Sequence, residues 1–186
     1  MEPLLVSTAV VALAEIGDKT QLLALVLAAR YRRPLPVIAG ILLATLVNHG
    51  LAGAVGQMVI QYVGPERMRW ILALSFIAMA GWTLIPDKLE GEEARFARLG
   101  AFTATLVSFF LVEMGDKTQI ATVALAARFD AFIQVVCGTT LGMMIANVPA
   151  VLIGQAASTR LPMRAIHIVA ALIFLALGVA MIFVPA

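Results

Sequence analysis

Apolar residues run along this chain in six long stretches, roughly 4–29, 36–62, 69–86, 100–127, 131–157 and 165–184, separated by short polar loops. Each is close to or beyond the ~20 residues a helix needs to cross a bilayer; the third is the shortest. The runs are continuous rather than alternating with period two, which excludes a closed β-barrel. Helices satisfy their own backbone groups, as lipid requires. The pattern predicts an all-α integral membrane protein with six transmembrane helices. The start, Met1-Glu2-Pro3, lacks a basic n-region, and its apolar run continues to about Ala29. It therefore predicts a retained membrane helix rather than a signal peptide.

The longest polar interruption, Asp87-Lys88-Leu89-Glu90-Gly91-Glu92-Glu93-Ala94-Arg95, splits the pattern in two. Residues 1–86 form a first three-helix unit, 87–98 a charged linker and 99–186 a second unit. The halves match at a constant offset of 98 residues: Ala28-Ala29-Arg30 with Ala126-Ala127-Arg128, Gly40 with Gly138, and Gly56-Gln57 with Gly154-Gln155. Because three is odd, the second copy must face the opposite way across the membrane. Two inverted three-helix repeats are the architecture of many secondary transporters, whose sites lie near the midplane between repeats.

Composition sharpens the membrane assignment. Hydrophobic residues make up 62% of the 186 and charged ones 13%, against ~25% charged in soluble domains. The placement of charge is more informative than its +2 sum. Arg30, Arg32, Arg33, Lys88, Arg95, Arg98, Arg160 and Arg164 fall on one side, and Arg67, Arg69 and Arg128 on the other. By the positive-inside rule this puts the linker in the cytoplasm and both termini outside. The single cysteine, Cys137, permits neither a disulfide framework nor a thiolate metal site within one chain.

Two lysines and four acids lie at membrane depth, in one repeated phrase. Glu15-Ile16-Gly17-Asp18-Lys19-Thr20-Gln21 returns as Glu113-Met114-Gly115-Asp116-Lys117-Thr118-Gln119, with six of seven letters identical. Each such charge costs at least ~2.5 kcal/mol on insertion scales. On a continuous helix, residues three and four apart share a face. This spacing places Glu15, Asp18 and Gln21 on one side and pairs Glu15 with Lys19; Glu113, Asp116, Gln119 and Lys117 repeat it. Pairing each glutamate with its lysine leaves Asp18 and Asp116 without a cationic partner in their own copy, and the other helices offer none. Gly17 and Gly115 either admit a neighbouring helix or loosen their own. Four carboxylates and two ammonium groups leave a formal charge of −2, which one divalent cation would neutralise. Carboxylate and amide oxygens suit hard ions such as Ca²⁺, Mg²⁺ and Mn²⁺. Glu15, Asp18, Gln21, Glu113, Asp116 and Gln119 are the candidate ligands, and Thr20 and Thr118 point to a different side. Protons compete for the same carboxyl oxygens, which is the minimal chemistry of a cation–proton exchanger. Asn48, His49 and Asn147, mid-segment in the equivalent second helices, are candidates for the pathway, and His49 replaces the asparagine of the other half.

Two copies of E-φ-G-D-[KR]-[ST], each in the first helix of a three-helix repeat, resemble the manganese/calcium cation–proton antiporter family of the lysine-exporter superfamily. The resemblance covers essentially the whole chain, and neither copy departs from the pattern. It implies export of Mn²⁺, or exchange of Ca²⁺ or Mn²⁺ for protons, with Glu15, Asp18, Glu113 and Asp116 as cation ligands. It also implies a prokaryotic plasma (inner) membrane, partners limited to the metal ion, protons and the bilayer, no nucleic acid, and no cofactor beyond the transported cation. With no nucleotide loop and no nucleophile–base set, enzymatic activity is not expected. The rivals are a cation channel and a non-transporting scaffold in which the motif is a structural ion pair.

Overall fold

The computed structural model describes residues 1–84, 99–153 and 163–183. The charged linker 87–98, the Gly154-Gln155 pair and Arg160 lie outside the described residues. Within them the chain forms eight α-helices and no strand: α1 (Glu2–Glu15), α2 (Lys19–Tyr31), α3 (Pro34–Val63), α4 (Pro65–Thr83), α5 (Ala101–Glu113), α6 (Lys117–Phe129), α7 (Phe132–Ile153) and α8 (Met163–Phe183). Two of them, Pro34–Val63 and the Phe132–Leu152 stretch of α7, are individually long and apolar enough to cross a membrane.

Four of the six apolar stretches fold as single helices, α3, α4, α7 and α8. The first and fourth do not. Each is two shorter helices, α1 with α2 and α5 with α6, broken inside the repeated phrase. The other boundaries follow local chemistry. Proline fixes φ and sacrifices only an unneeded N–H at a helix start, as at Pro34 and Pro65 in the first turns of α3 and α4. Helices α2 and α6 end on left-handed residues at equivalent places, Arg32 (φ 50°) and Asp130 (φ 46°).

The halves interleave. Helix α1 packs along α7, and α5 packs along α3. Small residues permit both approaches. A Cβ on Gly138 would lie 2.5 Å from the Leu4 carbonyl and 2.9 Å from Ser7; one on Gly40 would lie 2.9 Å from the Phe102 carbonyl and 2.8 Å from Thr105. Leu4, Ser7 and Gly138 in one contact are the counterparts of Phe102, Thr105 and Gly40 in the other, so the same crossing is built twice. Such close helix approach is the usual means of association in lipid, where apolar burial adds little.

Two apolar clusters flank the centre. One joins Val11, Leu23, Leu27, Ile41, Phe109 and Met143. The other joins Val10 and Leu125 to α4 and α8, whose Phe76 and Phe174 rings stack at 6.0 Å. Large apolar side chains also face outward, among them Leu5, Leu35, Leu74, Ile133, Leu152 and Leu172. Polar groups, by contrast, are concentrated inside: Glu15, Asp18, Asn48, His49, Glu113, Asp116, Lys117 and Asn147 are all buried.

Gly138→Leu is expected to destabilise the protein by about 1–3 kcal/mol through overpacking, because the neighbouring atom is backbone. Gly50→Leu, where a Cβ meets nothing within 4 Å, is the control. Denaturation of both variants in detergent micelles checks this, and equal stability contradicts it.

Candidate metal centre

The repeated phrase breaks its helix the same way in both halves. Helix α1 ends at Glu15 and α5 at Glu113. Ile16 and Met114 are extended, Gly17 and Gly115 take positive φ (88° and 78°), and Asp18 and Asp116 are the extended N-caps of α2 and α6. Glycine adopts positive φ without the Cβ penalty other residues incur. The amide oxygen of Gln21 accepts the Gly17 N–H at 2.9 Å, and that of Gln119 accepts the Gly115 N–H at 2.7 Å. Gln21 also donates to the Ala146 carbonyl at 2.9 Å. Gln21 and Gln119, expected among the ligands, thus use their amide oxygens to satisfy backbone donors exposed by the break.

The break overturns the expected pairing of charges. With the helix interrupted at residues 16–18 and 114–116, the spacing of four residues no longer decides which acid each lysine meets. Each lysine instead crosses to the aspartate of the other half. Lys117 Nζ lies 2.5 Å from Asp18 Oδ1, and Lys19 Nζ lies 2.8 Å from Asp116 Oδ1. The aspartates, which looked unpartnered within their own copies, have cations from the opposite copy. The glutamates are the surplus.

Glu15, Glu113 and Asp116 are all buried, and each offers a carboxylate oxygen lying within 4.8 Å of the others. Thr20 donates its hydroxyl to Glu15 Oε2, and Thr118 donates to Glu113 Oε1. Both threonines therefore point at the acids, contrary to the continuous-helix expectation. Glu15 Oε1 and Glu113 Oε2 have no hydrogen-bond partner among the described residues. The two glutamates are also the last residues of their helices, where the dipole is negative. Two carboxylates there, each with an unsatisfied oxygen, form a donor set suited to a hard cation.

Of the pathway candidates, Asn48 donates from α3 to the Phe110 carbonyl of α5 at 3.0 Å. Its equivalent region in α7 behaves differently: Asn147 donates within its own helix, to the Met143 carbonyl at 3.0 Å and to its sulfur at 2.9 Å. His49 places Nε2 3.6 Å from Glu113 Oε1. The features missed by sequence reasoning are the roles of Thr20 and Thr118 and the crossed ion pairs. Their signal was the glycine between two acids, which marks a break as readily as a packing face.

Removing one partner of a buried ion pair typically costs about 3–5 kcal/mol. Lys117→Met alone should lose stability on that scale, and Asp18→Asn combined with Lys117→Met should recover most of it. Chemical denaturation in micelles measures both; equal losses would speak against a discrete cross-half pair.

The family profile described as "Divalent cation/proton antiporter GDT1" matches residues 3–91 and 101–185. A Vibrio cholerae serotype O1 protein named "Putative manganese exporter" is 53% identical over 184 residues, covering 98% of this chain and 92% of its own. GDT1-like protein 5 of Arabidopsis thaliana is 27% identical over 218 residues, covering 96% of this chain and 94% of its own. GDT1-like protein 3 of Oryza sativa subsp. indica is 27% identical over 210 residues, covering 99% and 75% respectively. No solved structure matches the chain. With the family profile spanning both halves and the duplicated acidic breaks facing one another, the chain belongs to the GDT1 family of divalent cation/proton antiporters.

Proposed function

We propose that this chain exports a divalent cation from the cell in exchange for protons, with Mn²⁺ as its main substrate and Ca²⁺ as the alternative. The observation that carries the reading is the meeting of Glu15, Glu113 and Asp116, one acid from the first half and two from the second, with carboxylate oxygens within 4.8 Å. The metal centre is formed by Glu15 and Glu113 as direct ligands, with Asp116 beside them. Lys19 and Lys117 hold the aspartates in place and keep the charge of the site within what one divalent ion or protons can balance. The similarity to the manganese exporter named above supports Mn²⁺ as the first substrate to test.

The same reading treats α1 with α2, and α5 with α6, as one broken span each. With α3, α4, α7 and α8 this makes six spans in two inverted repeats, both termini outside and the linker 87–98 in the cytoplasm of a bacterial inner membrane. Broken helices near the bilayer midplane are a recurrent way to present ion ligands in transporters. In the cycle, Glu15 and Glu113 carry either protons or the cation. The site opens to the cytoplasm to release protons and take the metal, then opens outward to do the reverse. Each exchange keeps the buried site near electrical balance, because a cation and protons are alternative partners for the same oxygens.

Proteoliposomes containing the protein should show saturable Mn²⁺ flux that responds to an imposed pH gradient. Glu15→Gln with Glu113→Gln should lower that flux at least ~10-fold, the scale on which even outer ligand contacts affect metal sites. Saturation without any response to the pH gradient would point to a uniporter. Flux that never saturates would point to a channel, and no flux in the wild type to a scaffold.

A further inference from the structure

We propose that His49 joins Glu113 as a nitrogen ligand to the transported cation, and that it sets the preference of the site for Mn²⁺ over Ca²⁺. The inference rests on the proposed transport function and identifies the residue that selects the substrate.

His49 sits in the middle of α3 and is fully buried, at 0% exposure. Neither ring nitrogen has a hydrogen-bond partner among the described residues. Buried polar groups are nearly always satisfied, so an imidazole left bare on both sides calls for an explanation. A histidine serving only to join helices would donate to a carbonyl, as neighbouring Asn48 does to Phe110. His49 instead presents Nε2 to Glu113 Oε1 at 3.6 Å. That gap is too long for a hydrogen bond. Two ligand atoms sharing one ion at ~2.1 Å lie about 3 to 4 Å apart, according to the angle between them, and the oxygen facing His49 also accepts from Thr118.

The second observation is an asymmetry. The break, its glutamine caps, the threonine contacts and the crossed lysines all occur twice, but His49 occurs once. Its counterpart is Asn147, whose amide nitrogen is already engaged by Met143. A site made only from the duplicated residues would be all oxygen, and Ca²⁺ and Mg²⁺ take oxygen ligands. Carboxylates suit Mn²⁺ and Ca²⁺ alike, but Ca²⁺ keeps to oxygen ligands, whereas Mn²⁺, a first-row transition ion, also accepts an imidazole nitrogen. One neutral nitrogen among carboxylates shifts the balance toward Mn²⁺ without altering the charge of the site.

The chain has two histidines, which makes a direct test simple. Protein labelled with ¹⁵N-histidine and carrying His167→Gln retains the label at His49 alone. With Mn²⁺ bound in micelles, pulsed electron paramagnetic resonance should show the hyperfine coupling of a directly coordinated imidazole nitrogen. Its absence overturns the proposal, and this readout needs no change at His49. In proteoliposomes, His49→Asn should weaken half-saturation for Mn²⁺ at least ~10-fold while that for Ca²⁺ moves less than about threefold. Parallel losses for both ions, or an unchanged ratio, overturn the role in selectivity. Wild-type exchange without nitrogen coupling sinks this inference alone; nitrogen coupling without exchange sinks the transport reading and leaves the ligand assignment standing.

Discussion

Five charges buried among apolar helices, with the half-buried Lys19 beside them, can persist only if they compensate one another, and the way they do so governs the rest of this molecule. The two lysines are not confined to the acids of their own phrase. They reach across to the aspartates of the other copy, so that each half completes the electrostatics of its partner. In a low-dielectric interior a broken pair is far more costly than an intact one, and the crossed arrangement therefore ties the registration of the halves to charge balance. Each glutamate keeps one carboxylate oxygen without a hydrogen-bond partner among the described residues.

This division of labour depends on the interrupted helices. A continuous helix would hold each glutamate beside the lysine one turn later and spend the charge locally. Breaking the helix at Gly17 and Gly115 turns the aspartates into N-caps and leaves the glutamates at C-terminal ends. It also brings the threonine hydroxyls onto the glutamates. The glutamines then satisfy the backbone N–H groups of the glycines. Six of the seven letters of the repeated phrase thereby have separate physical tasks, which is why so short a segment can define a site.

Much of this was legible in the chain before its structure. The helical stretches, the offset of the duplicated residues and the acids inside apolar stretches follow from composition, periodicity and repetition. Glu15, Glu113 and Asp116 were named from their burial and charge, and the structure brings them together. What was not legible was everything that turned on the break. A glycine between two acids is compatible with a packing face or with a kink, and periodicity alone does not choose. Reading the phrase as unbroken helix missed the lysine–aspartate pairs across the halves, turned Thr20 and Thr118 away from the glutamates and overlooked the backbone N–H groups that Gln21 and Gln119 accept. All these errors share one cause: angular positions on a helix lose their meaning at the residue where the helix stops. His49 stood out only through its mismatch with Asn147.

The paired crossings at Gly40 and Gly138 carry a consequence for the history of the chain. Helix α1 finds its close neighbour in α7, and α5 finds its own in α3, so the tightest contacts run between the halves rather than within them. A polypeptide consisting of one such half would leave a groove fitted to a helix it does not possess. Before duplication and fusion, the ancestral unit would have had to borrow that helix from a second copy of itself, which makes a homodimer the natural precursor of the single chain.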